Sequence, residues 1–160
     1  MKILLALLCL GLSLAYVSFD YNSEYDLIED LKDMDGKIYL LFFYASANLM
    51  PGGYESVHHH QVSSNELQMR NDQEHDAIKS FADITREVYY NEFDVVNIQH
   101  DALLNELGVD KSEVFSWPVT VVVKNGDGYQ VTGPNSVYFV KRIVDGFVHP
   151  EKGPQVTPGI

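Results

Sequence analysis

The stretch Ile38-Tyr39-Leu40-Leu41-Phe42-Phe43-Tyr44, followed by Ala45, decides how the rest of the chain is read. Seven apolar and aromatic residues in a row show neither the alternation of a half-exposed strand nor the spacing of an amphipathic helix. Asp35-Gly36 stands before the run and Pro51-Gly52-Gly53 follows it closely, so it reads as a strand buried on both faces. A strand buried on both faces lies inside a sheet covered above and below by helices.

The flanking segments supply those helices. Asn22-Ser23 offers caps for a helix with Leu27, Ile28 and Leu31 inside, closed by Asp35-Gly36. After Ala45 to Pro51 comes a polar stretch, residues 52–71, containing His58, His59 and His60, which reads as a loop insertion. A helix is expected from about Asp72, with Ile78, Phe81, Ile84 and Val88 as its apolar stripe and Ala82 and Tyr89 on the flank. Asp94 to Ile98 reads as a short strand. Asp101 is placed as the cap of a brief helix with Leu103, Leu104 and Leu107 inside, ended by Gly108. Val119 to Val123 is a second buried strand, Asn125-Gly126 a hairpin turn and Tyr129 to Thr132 the returning strand. Asn135 or Ser136 caps a last helix that turns Val140, Ile143, Val144 and Phe147 inward. From His149 the chain is rich in Pro and Gly and reads as a tail. The fold class is therefore α/β, a mixed sheet of four to five strands with helices on both faces.

At 160 residues the chain has the length of one domain, with 46% apolar and 21% charged residues. Its formal charge of −12 argues against nucleic acid and anionic lipid headgroups as partners. Met1-Lys2, the apolar run Ile3 to Leu14 and the small residues Ser13 and Ala15 match a secretory signal peptide over residues 1–15. The apolar run also extends to Phe19, and residues 3–19 match a short membrane anchor. The first reading gives a lumenal or extracellular protein, the second a domain anchored outside the bilayer. The one cysteine, Cys9, lies inside this run, so cleavage after Ala15 leaves no thiol.

Three segments together resemble the thioredoxin fold over roughly residues 16–148. Tyr39 to Ala45 looks like the central strand that leads into the family's active site. Trp117-Pro118-Val119-Thr120 looks like the loop holding the family's cis-proline, and Val122-Val123-Lys124-Asn125-Gly126 like the strand and turn after it. The resemblance puts the two reactive cysteines at Asn48 and Pro51 and the buried acid at Phe42. A thiolate is the nucleophile of disulfide exchange, and neither Asn nor Pro supplies one. What the resemblance implies is a redox-inactive member, similar to the non-catalytic domains of protein disulfide isomerases, with Pro118 cis. Trp117, Pro118, Tyr44 and Met50 are then candidate contacts for a partner protein, beside the inserted loop.

The remaining motifs point elsewhere weakly. Three adjacent histidines alternate in direction, and with His75 they match no zinc spacing. Ser46 is a hydroxyl near the strand end with no base beside it in sequence. No P-loop, dinucleotide glycine pattern or calcium loop occurs. The expectation is a protein without catalytic residues, metal or cofactor that serves as a protein–protein interaction or structural module. It is either an accessory subunit of a membrane-associated complex or a soluble, chaperone-like binder of polypeptide. A cysteine-independent enzyme on the same scaffold is the more distant alternative.

Overall fold

A computed structural model describes residues 17–46, 54–55, 61–85, 88–96 and 100–152. The elements in chain order are β1 (Val17–Ser18), α1 (Glu24–Lys32), β2 (Ile38–Tyr44), β3 (Tyr54–Glu55), β4 (Gln61–Val62), α2 (Ser64–Thr85), β5 (Val88–Asp94), α3 (Asp101–Leu107), α4 (Lys111–Val114), β6 (Val119–Lys124), β7 (Asp127–Thr132) and α5 (Ser136–Val148), with a 3₁₀ turn at Pro150–Lys152. Five strands form one mixed sheet in the order β1-β5-β2-β6-β7, and β3 and β4 form a separate small hairpin. β5 runs parallel to both β1 and β2, whereas β6 runs antiparallel to β2 and β7.

β2 is the central strand, and alternation along it builds two cores. Tyr39, Leu41, Phe43 and Ala45 join Leu27, Leu31, Phe93, Leu103, Val114 and Val121 on the face covered by α1, α3 and α4. Ile38, Leu40 and Phe42 join Ile78, Ala82, Val88, Tyr90, Val140 and Val144 on the face covered by α2 and α5. The unbroken apolar run thus serves both layers, as expected of a central strand.

The turns follow local chemistry. Ser23 caps α1 by accepting from the Asp26 N–H at 3.2 Å. Asn125 and Gly126 both have positive φ, 53° and 80°, as a two-residue hairpin requires. That turn is docked on the α1–β2 connection: Gly126 N–H donates to the Leu31 carbonyl at 3.1 Å, and Asn125 Oδ1 accepts from Gly36 N–H at 3.0 Å.

Several boundaries differ from the sequence expectation. α2 begins at Ser64, eight residues before Asp72, with the Ser63 hydroxyl accepting from Glu66 N–H at 3.2 Å. Residues 64–71 are therefore helix, and the insertion is shorter than residues 52–71. The buried stripe of α2 is Leu67, Asn71, Glu74, Ile78 and Ala82, while Ile84 is 76% exposed. Val88 and Tyr89 belong to β5, not to the helix, and β5 ends at Asp94 where the sequence suggested that a strand begins. Their β-branched and aromatic side chains pair with β2, an environment that helical spacing alone does not reveal. α3 starts from His100 rather than from a capping Asp101. Its Leu103 N–H donates to the Glu24 carboxylate of α1.

The Trp117–Pro118 bond is trans: no cis peptide occurs among the described residues. The last turn of α4 feeds directly into β6, with Trp117 N–H donating to the Glu113 carbonyl at 3.0 Å and the Pro118 carbonyl accepting from Thr132 Oγ1 at 3.1 Å. This path needs no reversal, so the ordinary, lower-energy isomer serves. At the N-terminal end, Val17 and Ser18 pair with Tyr89 and Tyr90, and the Phe19 ring packs edge-on against Tyr39 at 5.3 Å. Residues 17–19, which the anchor reading had included, thus belong to the folded domain. No helix among the described residues is long and apolar enough to cross a membrane.

Candidate functional site

α2 is long enough to touch both cores. Leu67, in its first turns, belongs to the first core with Ala45 and Val62, whereas Ile78 and Ala82 belong to the second. The helix therefore passes over the end of β2, and the two residues at the crossing are polar. Asn71 donates through Nδ2 to the Ala45 carbonyl at 2.8 Å. Glu74, also buried, accepts from the Ser136 hydroxyl at the start of α5. A carboxylate at that helix N-terminus also meets the positive end of the helix dipole. Asn135 offers no side-chain cap there, and the N–H groups of Ser136, Tyr138 and Phe139 pair with the Gly133 and Asn135 carbonyls.

Between this part of α2 and the ends of β2 and β5 lies a pocket of about 330 Å³. Its wall is aromatic on the β2 side, where Phe42 and Tyr44 stack at 6.0 Å with 24° between planes. The register β2–β5 sets Glu92 beside Phe42 and Asp94 beside Tyr44. Glu92 faces the pocket, and its Oε1 lies 3.0 Å from His75 Nε2 and 3.8 Å from Lys79 Nζ. The second His75 nitrogen lies 3.2 Å from Asp76 Oδ1. A neutral imidazole donates to only one of these carboxylates; an imidazolium donates to both. Burial, and after it the Asp94 and Glu92 carboxylates, push the Tyr44 phenol above its ordinary range. Tyr44 is therefore a neutral hydroxyl in a negative field.

Asn71 Oδ1 is the exception in this otherwise paired site. Asn71 is 4% exposed and lines the pocket, yet its carbonyl oxygen has no hydrogen-bond partner among the described residues. A buried acceptor without a donor costs roughly 1–3 kcal/mol.

Ser46 finds the acid that the sequence did not reveal. Its hydroxyl donates to Asp94 Oδ2, and Asp94 Oδ1 accepts from the N–H groups of Ser46 and Val96, each at 3.1 Å. Asp94 thereby ties the end of β5 to the end of β2.

The residues singled out from the sequence meet different fates. Phe42, in the position the resemblance gives to a buried acid, is fully buried, its ring centroid 6.0 Å from that of His75. Tyr44 lines the pocket. Trp117 is half-buried, its ring covered by the Arg70 guanidinium of α2 at 4.2 Å. Arg70 also donates to the Ser116 carbonyl and pairs with Glu66. The Trp117–Pro118 loop is thus stapled to α2, its Trp117 N–H and Pro118 carbonyl both engaged within the domain. Asn48, Met50, Pro51, the three histidines 58–60 and Cys9 lie outside the described residues. Among the described residues, no group of three or more His, Cys, Asp or Glu is placed to hold a metal ion.

Asn71, His75, Glu92 and Asp94 were not among the sequence candidates for this site. The signal was present: Leu67, Asn71, Glu74, Ile78 and Ala82 follow helical spacing, and two polar residues interrupt an apolar stripe. Starting the helix at Asp72 concealed it.

Comparison of the chain with protein-family models, with curated proteins and with solved structures gives no match, so the functional reading rests on this chain's own residues.

Proposed function

We propose that the protein is a redox-inactive, thioredoxin-like interaction or structural module, built to bind another protein and not to catalyse. The strand order β1-β5-β2-β6-β7, with β6 antiparallel, is the observation that carries this reading, because it puts the end of β2 at the centre of the sheet edge where a reactive pair would be needed. The chain's one cysteine is at position 9, far from that edge in sequence. Phe42 is an apolar residue where the resemblance expects a proton acceptor, and the Ser46 hydroxyl is engaged in donating to Asp94.

Two forms of the module remain: an accessory subunit of a membrane-associated complex, anchored by the residues before Val17, and a soluble secretory-pathway protein that binds polypeptide. The intact mass of the native protein separates them. Loss of residues 1–15 supports the soluble form; retention of Lys2 with resistance to carbonate extraction supports the anchored form.

The binding reading itself is tested by a photoreactive benzoylphenylalanine at Gln68, on the pocket rim, and at Tyr129, on β7. A discrete cross-linked adduct in the protein's own cells from position 68, and none from position 129, is expected. Absence of an adduct at 68, or equal adducts at both, overturns it. Disulfide reduction of insulin by the purified protein would overturn the redox-inactive part.

A further inference from the structure

The chemistry of the pocket over β2 is one-sided. Its polar lining is rich in acceptor-bearing side chains: the Glu92 and Asp72 carboxylates, and Asn71, whose Oδ1 is buried just behind the wall and has no hydrogen-bond partner among the described residues. The contacts of Glu92 with His75 and Lys79 both use Oε1. Asp72 receives one bond, from Gln68 Nε2 to Oδ1 at 2.7 Å. The opposite wall is the stacked pair Phe42 and Tyr44. The nearby basic side chains, His75 and Lys79, lie against Glu92 Oε1, while Asp72 is met by Gln68.

Resting on the interaction-module reading, we propose that this pocket receives an arginine side chain of the partner protein, its guanidinium lying along the Phe42–Tyr44 wall and donating to Asn71 Oδ1, Glu92 and Asp72. A guanidinium fits these features better than an ammonium. It is planar and weakly hydrated, it stacks on aromatic rings, and its five N–H groups reach several separate acceptors at once. A guanidinium N–H would supply the donor that no described protein group gives Asn71 Oδ1. A pocket of about 330 Å³ is at the small end of ligand sites, roomy for a single planar head and its stem. The raised phenol of Tyr44, pushed up first by burial and then by Asp94 and Glu92, reports a negative field in the same space.

Nα-acetylarginine amide is the probe, titrated into the full chain and followed by amide NMR shifts, with Nα-acetylcitrulline amide as its neutral isostere. Binding in the millimolar range, with shifts centred on the Asn71 side-chain amide and Tyr44 and no binding of the citrulline probe, is the expected result. Glu92→Gln keeps an acceptor for His75 but removes the charge, and it should weaken the arginine probe about tenfold; Asp127→Asn on β7 should leave it unchanged. Thermal melts of both variants establish that they are folded. Equal binding of citrulline, shifts centred away from Asn71 and Tyr44, or full affinity in folded Glu92→Gln overturns the proposal. Nα-acetyllysine amide binding as well as the arginine probe overturns the guanidinium assignment. If the arginine probe fails while the cross-link at position 68 forms, this inference falls and the partner reading stands; if the cross-link fails, the reading beneath it falls.

Discussion

The two faces of one sheet are built on different terms. On the face under α1, α3 and α4 the core is continuous from Leu27 through Phe43 and Phe93 to Val121, and the rings of Phe43 and Phe93 stack at 5.0 Å. On the face under α2 and α5 the core stops at Phe42 and Ile78, and beyond it come Asn71, Glu74, Ser136 and the pocket. One face stabilises by apolar burial, the other gives up part of that burial for polar groups that need individual partners. Each face holds a buried polar atom without a protein partner among the described residues, His100 Nδ1 on the first and Asn71 Oδ1 on the second. It is Asn71 that lines the pocket, which makes the second face the place to look for function.

Substitutions can break the contrast. Phe43→Ala, in the apolar face, removes a fully buried ring and should cost about 4 kcal/mol in urea unfolding, the largest effect expected here. Ser136→Ala, in the polar face, deletes no apolar volume but takes the donor from buried Glu74, and about 2 kcal/mol should be lost by the same measurement. If the serine variant proves neutral, Glu74 finds another donor and the polar face is less demanding than its geometry implies.

Two smaller effects sharpen the comparison at its edges. Arg70→Ala uncovers Trp117 and frees the α4–β6 loop from α2. A loss of about 1 kcal/mol is expected, with a red-shifted emission readable without ambiguity because Trp117 is the one tryptophan of the chain. His100 belongs to the apolar side, between Tyr21 and Phe93, with Tyr21 OH 3.2 Å from its Nε2. Burial lowers the pKa of its imidazole, and the Glu24 carboxylate offsets only part of that shift. The unfolded chain therefore takes up a proton at higher pH than the folded one does. Stability attributable to His100 is complete above the ordinary imidazole range and declines as pH falls through it toward the lower folded-state value. Urea midpoints compared between neutrality and about pH 5 should fall less in His100→Phe than in the native chain. An equal fall in both would assign the acid sensitivity to other groups.

Legibility in the sequence tracked the same division. The apolar run Ile38–Tyr44, the Asn125-Gly126 turn, the Ser23 cap, the Gly108 helix end and the inward residues of α5 were all readable, because each depends on local composition or local backbone geometry. The start of α2 and the position of β5 were misread because their residues serve partners far away in sequence. Asn71 is buried against the Ala45 carbonyl and Glu74 against Ser136, and hydropathy marks both as surface residues. Val88 and Tyr89 continue a helical spacing from Ile84 by coincidence, and pairing with β2 and β1 overrides it.

Patterning and composition alone establish the layered α/β architecture, the central place of β2 and the absence of a thiol after Cys9. Long-range packing sets the rest: Ser46 meets Asp94, Trp117 is stapled by Arg70, the Pro118 bond is trans, and Tyr44, Asn71, His75 and Glu92 share one pocket. The reason is physical. A polar side chain acquires its role from the donor or acceptor facing it, and here that group is supplied by a segment distant in sequence, brought close by the sheet register and by the passage of α2 over the end of β2.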